Sequence, residues 1–183
     1  MQLYYATHDG QARRIAERIA DRLAERGIPS SPQDLAATFP TPEKLTEARL
    51  VTIVAAVRYG RLLPQGRRLL SLYRTLRAPP PLALLSVCLA ARKPDRTTAE
   101  NNPYLRKAIA RHRLAPAFAT AVAGRLDYPR YSWLDRQMIR FIMTLTGGPT
   151  DPKTSIEYTA WDVVDDVARR IAELFGGAGP LRS

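Results

Sequence analysis

Three apolar runs in this chain are too continuous to be half-buried strands. Leu50 to Val57, Leu82 to Leu89 and Phe118 to Gly124 are built almost wholly from Val, Ile, Leu and Ala. A strand with one wet face alternates polar and apolar residues, whereas a strand covered on both faces does not need to. Between these runs lie helical signals. Gly10 to Arg26 carries Ala12, Ile15, Ala16, Ile19, Ala20 and Leu23 on one stripe, and Gly27 stops it. Leu62 to Leu76 has Pro64 in its first turn, and Asn102-Pro103 is a cap followed by a first-turn proline. Thr159-Ala160-Trp161-Asp162 reads as a capping box before a stripe of Val163, Val167, Ile171 and Leu174. Strands alternating with helices specify a parallel sheet covered on both faces. With Met1 to Ala6 as a first strand and a weak, proline-rich edge strand within 30–48, the expectation is an α/β, three-layer, doubly wound, five-stranded parallel sheet. Its 183 residues suit one domain, over 1–175, with 176–183 as a flexible tail.

One segment breaks the alternation. A strand-to-helix link takes a few residues, yet about thirty separate Gly124 from Thr159. They hold Tyr128-Pro129-Arg130-Tyr131-Ser132-Trp133, a helical stretch over Leu134–Leu145, and Gly147-Gly148-Pro149. The last strand region is thus interrupted by a long insertion, about 127–151, and insertions of this kind usually carry function. Leu134, Met138, Phe141, Ile142 and Leu145 share one helical face, with Arg136 and Arg140 on the polar side and Trp133 at the entrance. Arginines, an interfacial aromatic and a wide apolar arc suit a helix lying in an anionic membrane surface. A helix packed on its own domain or on a second copy has the same pattern.

The charge adds to this reading. Lys and Arg number 28 against 17 Asp and Glu, a net +11, which favours an anionic partner. The basic residues are scattered, and no groove-reading pattern appears, so nucleic acid is not expected. One cysteine and two histidines exclude a disulfide framework and argue against a metal site. The longest apolar runs fall short of the ~20 residues that span a bilayer, and the N-terminus lacks a signal pattern. A cytoplasmic protein, peripheral on the inner face of the membrane, is the expected setting; the oligomeric state is left open.

Candidate chemistry gathers at the ends of the strands. Thr7-His8-Asp9-Gly10-Gln11-Ala12 links the first strand to a helix start, where free N–H groups and the helix dipole favour an anion. A monophosphate cradle and a simple Asp-Gly turn both fit this loop. Tyr59 and Gly60 end the second central strand, near the switch in strand order where ligands sit, and an aromatic packed over a loop is the plain alternative. The run Ser86 to Pro94 offers backbone donors and two cations at the next strand end. Its Cys88 reads as a small buried apolar residue rather than a nucleophile.

In this order and spacing, Thr7-His8-Asp9-Gly10-Gln11, Arg58-Tyr59-Gly60, Ala91-Arg92-Lys93-Pro94, Tyr128-Pro129-Arg130-Tyr131, Trp133, Asp135-Arg136, Met138-Ile139 and Gly147-Gly148 form a recognisable set. The set resembles the flavodoxin-like, menaquinone-dependent protoporphyrinogen IX dehydrogenases of bacterial haem synthesis. The resemblance runs from Met1 to about Phe175 and implies a flavodoxin-like sheet that binds FMN. By position, Thr7, His8, Asp9, Gly10, Gln11 and Ala12 would hold the phosphate. Tyr59, Gly60, Ser86, Val87, Cys88, Leu89, Ala90 and Ala91 would flank the flavin ring. Ala12 stands where a flavodoxin phosphate loop usually has Thr or Ser, so one hydroxyl donor is missing. The implied reaction takes electrons in pairs from protoporphyrinogen IX and passes them to a quinone, menaquinone. Arg58, Arg92, Arg125 and Arg130 are the candidates for the substrate's propionates. Trp133, Leu134, Met138, Phe141, Ile142 and Leu145 are the candidates for membrane contact. No acid–base pair stands out, and no side chain is assigned a catalytic role. Another FMN quinone reductase, or an electron carrier docking through the insertion helix, would share most of these features.

Overall fold

The computed structural model describes residues 1–177; the rest of the expected tail lies outside the described residues. The chain runs β1 (Gln2–Ala6), α1 (Gln11–Ala24), β2 (Pro32–Asp34), α2 (Pro42–Thr46), β3 (Val51–Arg58), β4 (Arg61–Leu62), α3 (Pro64–Thr75) and β5 (Leu82–Cys88). It continues through α4 (Pro103–His112), β6 (Phe118–Ala123), β7 (Arg125–Asp127), α5 (Trp133–Thr146), β8 (Ser155–Glu157) and α6 (Trp161–Gly177). Five parallel strands lie in the order β2-β1-β3-β5-β6, and the two-residue β4 turns back antiparallel on β3. The expected doubly wound sheet is present.

Alternate residues of the central strands feed two separate cores, which is what a sheet covered on both faces requires. Leu3, Tyr5, Val54, Ala83 and Leu85 pack with α1 and α6, through Ile15, Ile19, Val164 and Ile171. Tyr4, Ile53, Ala55, Leu82 and Leu84 pack with α3 and α4, through Leu69, Leu70 and Leu105. The cap at Asn102 forms as expected, with its side chain accepting from the N–H groups of Tyr104 and Leu105 at 3.2 and 3.1 Å. Gly27, at φ 71, ends α1, and the Ile28 N–H returns to the Leu23 carbonyl at 3.0 Å.

Three local readings change. The proline-rich stretch holds a short helix, α2, beside its three-residue edge strand; Thr41 caps it and Pro42 opens it, the same cap-and-proline signal that marks α4. The Thr159 hydroxyl does not serve as the helix cap. It donates to the Ala123 carbonyl at 2.7 Å and accepts from the Gln11 side chain at 2.8 Å. The sequence sets Arg14/Glu17, Arg18/Asp21 and Arg22/Glu25 three apart along α1 as expected charge pairs; Arg22–Glu25 forms, whereas Arg18 forks onto Asp165 of α6 at 2.7 and 2.8 Å. A partner on the packed neighbouring helix fits the guanidinium plane bidentately, which an i,i+3 carboxylate on the same helix does not.

The insertion leaves the body after β6 and returns before α6. β7 and β8 pair antiparallel at its root, so a two-stranded ribbon carries the tight turn Tyr128–Arg130 and helix α5. Tyr128 anchors it, fully buried, with its hydroxyl donating to the Pro149 carbonyl at 2.9 Å.

Candidate functional site

The strand order reverses direction between β1 and β3. The chain leaves β1 toward α1 on one face and leaves β3 toward α3 on the other. The crevice beyond the carboxyl ends of these two strands is the place such sheets offer a ligand. A cleft opens there, and residues from five segments line it: the Thr7–Ala12 loop, the β3–β4 hairpin, the end of β5 with its following turn, the insertion, and the start of α4.

The first wall is the head of α1. Gly10 is the N-cap, at φ 87, with no side chain to satisfy the N–H groups of the first turn. Those groups belong to Gln11, Ala12 and Arg13, and Gln11 and Ala12 are both buried. A buried helix start needs partners for its donors. No acidic residue stands in that first turn, so no carboxylate within the helix offsets the positive end of its dipole at the cleft. The Thr7 hydroxyl accepts from the Gly10 N–H at 3.0 Å and thereby sets the loop. The Gln11 side-chain amide is tied to the exit of the insertion. It donates to Glu157 at 3.1 Å and to Thr159, while Arg14 holds the other Glu157 oxygen at 2.9 Å. Burial pushes the Glu157 carboxyl up, but these donors outweigh it and leave it below the usual range. The head of α1 is therefore bolted to β8, the exit of the insertion.

The second wall is the β3–β4 hairpin. Its two central residues, Tyr59 (φ 52) and Gly60 (φ 72), are both left-handed, as a two-residue hairpin demands. Glycine takes that conformation freely; tyrosine does not, and such strain is usually kept where a side chain must be presented. Tyr59 is 60% exposed. The Arg58 guanidinium lies 5.3 Å from its ring centre, and its hydroxyl donates to Asp135 of α5.

The third wall is the insertion. Met138, Ile139 and Ile142 of α5 face the cleft, with Asp127, Arg130 and Tyr131 below them. Asp135 is 4% exposed and receives three donors: Arg58, the Tyr59 hydroxyl, and the Ser132 hydroxyl at 2.6 Å. Burial alone would raise its pKa; Ser132, Tyr59 and Arg58 together hold it below the ordinary aspartate value. Asp9, across the cleft, shifts the other way: burial raises it first, the fields of Asp135 and Asp127 add to that, and Arg130 opposes.

Most expected cofactor residues converge here: Thr7, His8, Asp9, Gln11, Ala12, Tyr59, Gly60, Val87, Cys88, Leu89 and Ala90 all line the cleft. Gly10, the N-cap of α1, lies outside the lining. Ser86, fully buried within β5, and Ala91, buried in the turn after it, lie outside the lining. Burial raises the Cys88 thiol, in keeping with a packing role. All four expected arginines line the cleft, but they differ in their ties. Arg58 pairs with Asp135, Arg125 with Asp127 at 3.1 Å, and Arg92 donates to the Leu89 carbonyl at 3.1 Å. The six residues expected at a membrane divide: Met138 and Ile142 turn into the cleft, while Trp133, Leu134, Phe141 and Leu145 form an exposed ridge along its lip. The sequence reading gave no role to Asp135, Tyr131, Asp127 or Tyr104. For Asp135 a signal existed, since Ser132-x-x-Asp135 is a cap-and-third-residue pattern.

The flavodoxin domain model matches residues 2–153. A protoporphyrinogen IX dehydrogenase (quinone) of Escherichia coli is 38% identical over 173 residues, covering 94% of each chain. The chain belongs to this flavodoxin-like dehydrogenase family. That membership places it among the flavin-binding oxidoreductases. A relative of the same name from Leishmania major is 34% identical over 94% of this chain and 74% of its own length. Among solved structures, the oxidised flavodoxin 1 of Bacillus cereus superposes with a TM-score of 0.55 at 11% identity, over 98% of both chains. That likeness concerns the fold alone; sheets of this strand order offer a ligand crevice at the β1/β3 switch point.

Proposed function

We propose that the chain oxidises protoporphyrinogen IX to protoporphyrin IX with FMN as cofactor and a quinone, menaquinone, as acceptor. The observation that carries this reading is the placement of the insertion. Helix α5 supplies an apolar wall and the ribbon supplies arginines to the same cleft that opens at the head of α1. An electron carrier has no need of such a wall, whereas a greasy macrocycle with two propionates does. The residues fit FMN: buried, uncapped N–H groups suit its phosphate, and Tyr59, Val57, Leu89 and Met138 offer apolar surface for its ring. When bound, FMN accepts electrons in pairs and returns them to an acceptor.

The chain's own part is placement. The loop from Thr7 to Ala12 would fix the phosphate, and the hairpin would set the ring's outer edge. Met138, Ile139 and Ile142 would exclude water from the apolar body of the substrate, while the arginines would orient its carboxylates. The exposed ridge of Trp133, Leu134, Phe141 and Leu145, beside a strongly basic surface, suits an anionic membrane from which a lipid-dissolved quinone reaches the cleft. Among the described residues no helix is long and apolar enough to cross a membrane, so the contact proposed is peripheral.

Purified protein supplied with FMN should convert protoporphyrinogen IX to the fluorescent porphyrin anaerobically once menadione is added. A rate equal to the protein-free blank rules this out. A stable one-electron reduced flavin, with turnover only when a protein partner is present, would favour the carrier reading instead.

A further inference from the structure

We propose that Arg58 and Tyr59 form a carboxylate-binding site which the chain's own Asp135, steadied by Ser132, fills until a substrate carboxylate displaces it. The proposal rests on the substrate reading above and adds a residue-level occupant and competitor.

Four observations point there. The three donors come from two separate elements, the β3–β4 hairpin and the entrance of α5, and meet on one carboxyl group. A guanidinium and two hydroxyls around a single carboxylate amount to a full recognition set, of the kind charge-assisted hydrogen bonds favour. The set lies at the cleft and not in the core: Arg58, Tyr59 and Asp135 all line it. The hairpin tip that presents Tyr59 is held in a left-handed conformation which costs a tyrosine energy. The next two turns of α5 present Met138, Ile139 and Ile142 to the same space. Together these make an apolar wall with a carboxylate receptor at its end, which matches a flat hydrophobic ring bearing carboxylate arms.

A purely structural strap would account for the pairing. It would not need a strained, 60% exposed tyrosine, nor a location that closes the hairpin and the insertion over the cofactor crevice. Displacement keeps the balance of charge and hydrogen bonds, because one carboxylate replaces another on Arg58 and Tyr59. Asp135 keeps its local bond to Ser132, and its freed oxygen gains water.

The two readings predict opposite signs for Asp135→Asn. The probes are protoporphyrin IX and its dimethyl ester, whose binding to the FMN-supplied protein is followed by fluorescence. As a competitor, Asp135 lowers the apparent affinity for the free acid only. Its replacement should therefore tighten protoporphyrin IX about fivefold or more and leave the ester unchanged, since removing an occluding state returns the intrinsic affinity. Arg58→Gln should abolish the preference for acid over ester. If Asp135→Asn weakens both porphyrins alike, or changes neither, Asp135 is a strap and the proposal fails while the functional reading stands. If neither porphyrin binds the unaltered protein, the functional reading fails and takes this proposal with it.

Discussion

The sheet body and the insertion treat apolar side chains in opposite ways. In the body, Ile53, Leu69, Leu84 and Ile171 are completely buried between packed layers. In α5, Met143 is buried, while Trp133, Leu134, Phe141 and Leu145 are between 64% and 71% exposed. The body can therefore stand on its own burial, whereas the insertion hangs on the β7–β8 ribbon, the Tyr128 anchor and the Asp135 cluster. An element that spends its apolar surface on a cleft and a lip, instead of a core, is built for something that arrives from outside. The division also separates roles. On the function proposed, the body offers an anion site at the uncapped head of α1. The insertion offers an apolar wall and, on the inference above, the Asp135 that occupies a carboxylate receptor.

The widest gap between the two regions should appear in stability. Ile53→Ala, in β3, is expected to cost ~2–5 kcal/mol by chemical denaturation. An equal cost for Phe141→Ala would mean that α5 is a core element and would break the contrast. At the anion site, Gly10→Val forces a β-branched residue into φ 87. We expect ~1–2 kcal/mol of destabilisation and, on our reading, a fall in FMN affinity of about tenfold. Full flavin retention would place the phosphate elsewhere.

A smaller effect concerns how the body holds together at low pH. Arg18 and Arg22, by hydrogen bonds first, hold the Asp165 carboxyl far below the ordinary range. A depressed folded-state pKa adds stability that is present above the unfolded value of about 3.9 and is lost as pH falls through the folded one. Asp165→Asn should thus be less stable at pH 7 by no more than about 1 kcal/mol, with the difference shrinking as the pH falls below about 4. A difference that stays constant down to pH 2 would show that the pair contributes through packing alone. The least change in stability is expected for Phe141→Asp, within about 0.5 kcal/mol, because its ring is exposed. The same variant should lose about tenfold in flotation with anionic vesicles. Undiminished, salt-sensitive flotation would move the membrane contact off the ridge.

Much of the body was legible from residue order alone. Continuous Val, Ile, Leu and Ala runs of seven or eight residues between helical segments suit strands covered on both faces, and Asn102-Pro103 and Gly27 mark helix ends by backbone chemistry that acts within a few residues. The candidate anion loop was visible for the same reason, since a polar Gly-containing turn before an amphipathic stripe is a local pattern. What stayed hidden depends on distance. Arg18 looks paired along its own helix until α6 brings Asp165 within reach. Thr159 looks like a cap until Gln11 and the Ala123 carbonyl claim its hydroxyl. The apolar face of α5 looks uniform until the ribbon tilts Met138 and Ile142 inward and leaves Phe141 and Leu145 outside. The chain's periodicity and composition determined the layered sheet, the end of α1, the start of α4 and the position of the candidate anion loop, because hydrogen bonding and burial along a segment need no distant partner. Only the tertiary structure decided that Asp135 meets Arg58 and Tyr59 across the cleft, because residues more than seventy positions apart are joined by the way the insertion folds back over the sheet.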